Sequence, residues 1–295
     1  MDVRTLRYFV AIAKAENFTV ASEALHVTQP TLSKQMKALE KDLGKQLLIR
    51  GSRKVSLTAD GQLLQKRASE IIDLLDRTES EIRKPDGVIA GSVYIGGGES
   101  ASMRLIAQVV KDVQTKYPDI QFHLYSGIAE DVKERLDKGL LDFGVVIGVV
   151  NTDHYDFRIL PEDDTWGLLV PNDSYLANKS VIHPDDLTDL PLICSHQSLN
   201  NNELTGWFGG DFSSLNIVAS YNLIYNASLM VEAGVGYALC LDNLVDTYTT
   251  NKLHFIPLDP PMSSQLKFIW KKQNNFSTAA KAFKQRLQDH LKSSK

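Results

Sequence analysis

Between Thr58 and Lys84 only Gly61, close to the start, interrupts a run of helix-compatible residues, and Thr58 is a natural N-cap. About 26 helical residues reach roughly 39 Å at 1.5 Å each, a rod that does not stay helical without tertiary support. Leu64, Ala68, Ile71, Leu75 and Ile82 fall near a and d positions, with Ile72 beside them and charged residues between. The rod therefore needs a partner, either a second copy or this chain's own body. Pro85-Asp86-Gly87 ends it as a hinge, so the chain divides into a short head before the rod and a long body after it.

Charge divides the same way. Residues 1–58 hold ten Lys or Arg against five acids, a net +5, while the remainder carries −9 of the overall −4. A small basic head on an acidic body implies that only the head meets a polyanion. The 295 residues suggest two or three domains, and 43% hydrophobic with 23% charged residues excludes disorder for most of the chain. The absence of a long uncharged apolar run leads us to expect neither a signal peptide nor a membrane span. Cys194 and Cys240 each sit in an apolar run; they make no disulfide framework and fit a reducing cytoplasm.

Leu6, Phe9, Val10 and Ala13 mark an amphipathic helix over 3–15. Thr19 is placed to cap a second short helix, Val20 to Leu25, whose Ala21 and Ala24 permit close contact. His26-Val27 makes a turn, Thr28 is the next N-cap, and Pro30 lies in the first turn of a third helix. Leu32, Met36, Leu39 and Leu43 form its buried stripe. Gln29, Thr31, Ser33, Lys34, Gln35, Lys37 and Lys41 are left for solvent or a ligand. Two short helices joined by a tight turn, the second polar at its start, form a helix-turn-helix whose second helix fits the major groove. Gln29 and Ser33 can read base edges, while Lys34, Lys37 and Lys41 would mainly neutralise phosphates. Leu47 to Arg50 and Lys54 to Leu57 flank Gly51-Ser52-Arg53 and read as a basic-tipped hairpin, a wing that brings Arg53 to the minor groove. Singly, each basic residue is ordinary surface; on one helix face and one wing they point to DNA.

The head resembles that of the LysR-type transcriptional regulators. The resemblance rests on Leu6-Arg7-Tyr8-Phe9, Asn17-Phe18-Thr19, Ala21 to Leu25, Thr28-Gln29-Pro30-Thr31-Leu32-Ser33, Leu39-Glu40, Leu43-Gly44, Arg50, Arg53, and Leu57-Thr58 with Gly61. Asn17, Ser22, Leu48 and Asp60 depart from the usual residues without touching the reading face. The resemblance implies groove contacts from Gln29, Pro30, Ser33, Lys34 and Arg53, and phosphate contacts from Thr28, Thr31 and Arg50. Lys34 lacks the planar fork of the Arg common there. The resemblance also implies antiparallel pairing of the rod to make a dimer, with tetramers to follow, an interrupted inverted repeat in promoter DNA, and room for a contact with RNA polymerase.

Beyond Val88 short β-branched runs alternate with amphipathic helices. Strands are expected at Gly91–Ile95, Ile120–Tyr125 and Phe143–Ile147, and helices at Ala101–Lys116 and Asp131–Lys138. Pro161 and Asp163-Asp164 mark a boundary before a second strand set at Trp166–Val170, Leu190–Cys194, Ile217–Ser220 and Tyr237–Leu241. Leu266–Trp270 is a further strand and Thr278–Leu291 a terminal helix, assigned to the first lobe. The expected architecture is α/β: a winged helix-turn-helix over 1–58 (helix-turn-helix about 18–37), a linker helix and hinge over 59–87, and a two-lobed effector domain over 88–295. Lobe I comprises 88–161 and about 267–295, and lobe II about 162–266. The resemblance, weaker beyond residue 90, implies that this domain is periplasmic-binding-protein-like.

Two lobes joined by two crossings enclose a cleft at strand carboxyl ends and helix N-termini. Its strongest candidate segment is Gly96-Gly97-Gly98-Glu99-Ser100-Ala101-Ser102, where glycines admit a ligand to the backbone and hydroxyls join free N–H groups. Segments matching the family's effector contacts are Ser126-Gly127-Ile128, Ile147-Gly148, Ser195-His196 and Tyr221-Asn222-Leu223. A small organic acid or similar metabolite is expected there, with no cofactor or metal. Glu99 opposes an anion if it faces inward. No nucleotide-loop glycine pattern, G-x-S-x-G elbow or metal-like His/Cys spacing is present, so no enzymatic activity is expected. The rival reading is a solute-binding receptor or transport component built on the body alone.

Overall fold

In the computed structural model, residues 1–51, 54–82, 88–148, 150–201, 204–209, 214–247 and 252–293 are described. The chain separates into two compact units, Met1–Pro85 and Asp86–Lys295. The expected groove contact Arg53 and the hinge Pro85-Asp86-Gly87 lie outside the described residues.

In the first unit α1 (Val3–Ala15) is capped by Asp2, whose carboxylate accepts from Thr5 N–H at 2.7 Å. The second helix, α2 (Phe18–Ala24), starts earlier than expected. Its cap is Asn17, which accepts from the N–H of both Thr19 and Val20, so Thr19 is inside the helix. After the turn at His26 comes α3 (Gln29–Leu43), closed by Gly44 in the left-handed region at φ 64°. Leu32, Met36 and Leu39 are fully buried against Phe9, Ile12 and Ala21. Each contributes about 1.5–3 kcal/mol by leaving water. Leu43, expected in that stripe, is 41% exposed because the last turn of α3 runs past the edge of this core.

The wing is an antiparallel hairpin of β1 (Leu48–Arg50) and β2 (Val55–Leu57). Its inward residues Leu48 and Val55 complete the core below α3. The rod is α4 (Ala59–Ile82), and Thr58 caps it by accepting from Gly61 N–H at 3.0 Å. Its apolar residues divide between two faces. Leu64, Ala68 and Ile72 pack on Leu6 and Val10 of α1, and Arg7 pairs with Asp76 alongside. Leu63, Ile71, Leu74 and Ile82 are exposed. The single seam expected over Leu64, Ala68, Ile71, Leu75 and Ile82 is thus corrected: Leu64 and Ala68 support α4 within its own unit, whereas Ile71 and Ile82 are exposed.

The second unit carries β3 (Gly91–Gly97), α5 (Met103–Lys116), β4 (Ile120–Ser126), α6 (Ala129–Asp137) and β5 (Phe143–Ile147), with β4, β3 and β5 parallel. A 17-residue strand, β6 (Tyr155–Pro171), then runs from one lobe into the other. Next come β7 (Leu192–Ser195), α7 (His196–Asn201), α8 (Thr205–Phe208), β8 (Ile217–Tyr221), α9 (Ile224–Glu232), β9 (Tyr237–Leu241) and β10 (Leu253–Pro257). The chain returns through β11 (Ser263–Lys271), antiparallel to β6, and ends in α10 (Thr278–Ser293). The strand order β4-β3-β5-β11-β6-β9-β7-β8, with β10 on β6, makes β6 and β11 the shared pair between lobes.

Pro161 and Asp163-Asp164, where a boundary before the second strand set is expected, lie within β6, which runs on through them. The register with β11 shifts between Gln265 and Lys267, so Pro161 faces an irregularity where its missing N–H forfeits no ladder bond. Phe143, Phe268 and Phe283 anchor the first lobe's core, which includes Ala279 and Leu287 of α10. Trp166, Leu168, Leu192 and Leu239 anchor the second.

Gly61 sits where α4 crosses the wing, and a Cβ there would lie 2.2 Å from the Leu47 carbonyl oxygen. Replacing it with Ala is expected to lower the stability of the first unit by about 1–3 kcal/mol. Urea unfolding followed by circular dichroism checks this; an unchanged midpoint would show that α4 moves aside freely.

Candidate nucleic-acid interface and ligand cleft

Burial of Leu32, Met36 and Leu39 on one side of α3 forces its other side outward. Thr28, Gln29, Pro30, Thr31, Lys34 and Lys37 are all exposed there, and no acid occurs from Thr28 to Leu39. Thr28 Oγ1 lies 3.4 Å from Thr31 N and 2.8 Å from Thr31 Oγ1, which fixes the first turn. Among the described residues Lys34, Lys37 and Lys41 form no ion pair, so their charge remains available to an external anion.

Ser33 and Arg50 come together instead of standing separately. Arg50 Nη1 donates to Ser33 Oγ at 2.9 Å, its guanidinium lies 5.0 Å from the Phe18 ring centre, and Nη2 is 3.9 Å from Glu40 Oε2. Glu40, not expected to matter, is the anchor beneath: its Oε1 accepts from Leu47 N–H at 2.9 Å and Leu48 N–H at 3.0 Å. One carboxylate therefore sets both the wing's start and the arginine that reaches α3. A lone Glu gives no sequence signal for this, because its partners are main-chain atoms seven and eight residues on.

In the second unit the loops after β3, β4, β7 and β8 face one another. A cavity of about 70 Å³ lies between them, lined among others by Gly98, Glu99, Gly127, Ile128, Ile147, Ser195, Tyr221 and Asn222. Trp166, Gln197, Ile224, Leu241 and Leu244 also line it and had no sequence signal beyond being apolar or amide residues. Ser126, His196 and Leu223 do not line it. His196 is exposed and opens α7, so it does not share a strand with Ser195 as expected.

Ser100, Ala101 and Ser102 do not line the cavity either. Ser102 Oγ donates to Glu162 O at 2.9 Å, and Ser100 Oγ accepts from Ser102 N–H at 3.0 Å; both serines are buried against β6. Beside them Asp164 is 4% exposed, with Oδ2 buried and unpartnered. Burial pushes its carboxyl above the ordinary range, while the Ser100 hydroxyl and the N–H groups of Ser102 and Ala101 partly offset this. Glu99 faces inward, its Oε2 accepting from Ile224 N–H at 2.7 Å at the start of α9. Gln197 Oε1 accepts from Ala129 N–H at 3.0 Å at the start of α6. Each contact joins one lobe to the other.

Cys194 and Cys240 are both buried and sit in different core clusters, and burial pushes the Cys194 thiol up to about 12. Among the described residues no cluster of His, Cys, Asp or Glu suits a metal ion, and no helix is long and apolar enough to cross a membrane.

Residues 3–62 match the family described as "Bacterial regulatory helix-turn-helix protein, lysR family", and residues 86–292 match "LysR substrate binding domain". The chain is 32% identical to the HTH-type transcriptional regulator YwbI of Bacillus subtilis over 99% of this chain and 97% of that one. It is 30% identical to the Hca operon transcriptional activator HcaR of Escherichia coli over 92% of each. Among solved structures, full-length CbnR complexed with its target DNA superposes with a TM-score of 0.75 at 21% identity, covering 98% of this chain and 99% of that one.

Asp164 generates a pH test. Its raised carboxyl binds a proton in the folded chain above pH 3.8 that the unfolded chain has released, so its contribution falls as pH rises through that window. Asp164→Asn has no such term, and its stability relative to the parent is expected to rise as pH increases above 3.8. The fluorescence of Trp166, whose indole N–H donates to Ser264 Oγ at 2.8 Å, reports the unfolding. A difference independent of pH would contradict the desolvated carboxyl.

Proposed function

Because the chain belongs to the LysR family of transcriptional regulators, we propose that it reads duplex promoter DNA with the exposed start of α3. Gln29 faces base edges together with Ser33, while Thr28, Thr31, Lys34 and Lys37 hold phosphates. Pro30 packs against the groove wall, and Arg50 reaches the backbone from the wing with Arg53 beyond it. The observation that carries this reading is the acid-free, exposed face from Thr28 to Lys37 opposite a fully buried stripe. An amide and a hydroxyl one turn apart match the donor and acceptor pattern of major-groove edges.

In the same reading α4 pairs with a second copy through Leu63, Ile71, Leu74 and Ile82, presenting two heads to an inverted repeat. A small metabolite in the cleft between the lobes shifts the population of lobe arrangements, and only a ligand preferring one of them has any effect. The chain works in the cytoplasm and catalyses no reaction.

Mobility shifts at several salt concentrations test the head. Lys37→Ala is expected to weaken cognate and random DNA alike and to reduce the slope of log affinity against log salt by about 1. Gln29→Ala is expected to cost about 1–3 kcal/mol on the cognate site only. Equal losses on both DNAs for Gln29→Ala remove it from base reading. For α4, introducing Glu at both Ile71 and Leu74 is expected to yield a smaller species in sedimentation velocity while leaving the fold intact. An unchanged sedimentation coefficient places self-association elsewhere.

A further inference from the structure

The leading N–H groups of two helices that open on the cleft already have partners from within the chain. The first N–H of α9 is taken by Glu99 and that of α6 by Gln197. The start of α5 is turned to Ser100 and to the buried Asp164. Among the described residues lining the cavity there is no Lys, Arg or His, and the single charged group is the Glu99 carboxylate. Much of the remaining wall is apolar or aromatic, with Ile128, Ile147, Leu241 and Leu244 beside Trp166 and Tyr221, and Ser195, Gln197 and Asn222 are its neutral polar side chains. An organic acid entering here would meet a like charge and, among the described lining residues, only neutral donors.

The opposite charge meets a prepared site. Glu99 spends Oε2 on Ile224 N–H, and among the described residues Oε1 accepts no hydrogen bond. Trp166 and Tyr221 line the same wall, and aromatic rings tolerate a neighbouring cation better than an anion. Ser195 and Asn222 add oxygen acceptors on the same wall. The cavity of about 70 Å³ has room for roughly five water-sized atoms. We propose that the ligand of this cleft is a small ammonium compound, a primary amine with an apolar body of a few heavy atoms, with Glu99 as its counter-ion. This rests on the cleft being the effector site, and it names the ligand's charge. An ammonium bridging Glu99 of one lobe and Ser195 of the other strengthens the inter-lobe contact that Glu99 already makes to α9, so binding favours the closed arrangement.

The test uses the full chain and two matched sets of probes: n-butylammonium, n-butanol and butyrate, and n-propylammonium, n-propanol and propionate. Binding is read from the melting temperature at constant ionic strength and from the tryptophan fluorescence of Trp166, Trp207 and Trp270 together. Within each set the ammonium compound is expected to bind on the order of tenfold more tightly than the alcohol or the carboxylate. Glu99→Gln, which keeps an oxygen for Ile224 N–H, is expected to bring the ammonium compound to within about threefold of the alcohol. Tighter binding of a carboxylate, or equal binding of the alcohol, overturns the proposal while leaving the cleft as an effector site. An ammonium preference untouched by Glu99→Gln overturns the role of Glu99. No binding by any probe at about 50 mM removes the effector reading of this cleft and the amine with it. The wild-type preference is measured independently of the variant, so misfolding of Glu99→Gln does not mask the outcome.

Discussion

Main-chain N–H groups left over at the ends of helices and strands must find an acceptor, and this chain supplies several of them from its own side chains. Asp2, Asn17, Thr28 and Thr58 serve the four helices of the first unit. Glu40 serves the start of the wing. In the second unit the acceptors are drawn from across the fold: Glu99 for α9, Gln197 for α6, Asp164 and Ser100 for α5. A requirement met locally in the head is met between lobes in the body. That is why the head's elements hold their shape as a small unit, whereas the body's cleft is tied to how its lobes meet.

The two units divide the work by charge. The head carries the positive excess and places part of it on the outer face of α3, where among the described residues Lys34, Lys37 and Lys41 form no ion pair. The one acid on the helix that turns inward, Glu40, is spent on the wing and on Arg50. The body carries the negative excess, and one of its carboxylates stands alone on the cavity wall.

Much of the head was legible because its signals are local. Leu32, Met36 and Leu39 repeat at helical spacing, Thr28 and Pro30 mark a helix start, and Gly51 marks a turn. Legibility failed where a choice between neighbours depends on the exact approach of the backbone. Asn17 outcompetes Thr19 as a cap because its longer side chain reaches two N–H groups, and Leu43 is exposed because the core ends a turn before the helix does. Of the cleft, the glycine loop and the segments at Gly127, Ile128, Ile147, Ser195, Tyr221 and Asn222 were locatable. The direction in which Ser100, Ser102 and His196 point was not, since each depends on a strand or helix boundary one or two residues away. Glu99 was recognised as a conditional obstacle to an anion, and the condition, facing inward, is a tertiary fact.

The amino-acid order alone determined the division into a basic helical head, a long rod and an acidic α/β body, because periodicity, capping residues and charge act over a few residues of chain. Only the folded chain decided which face of the rod packs on α1 and which stays open. It likewise decided that Pro161 sits at a register shift, and that the carboxylates of Glu99 and Asp164 reach helix starts far away in sequence. Those outcomes follow from long-range packing and from the requirement that buried polar groups be paired, and no local pattern specifies which distant partner will do it.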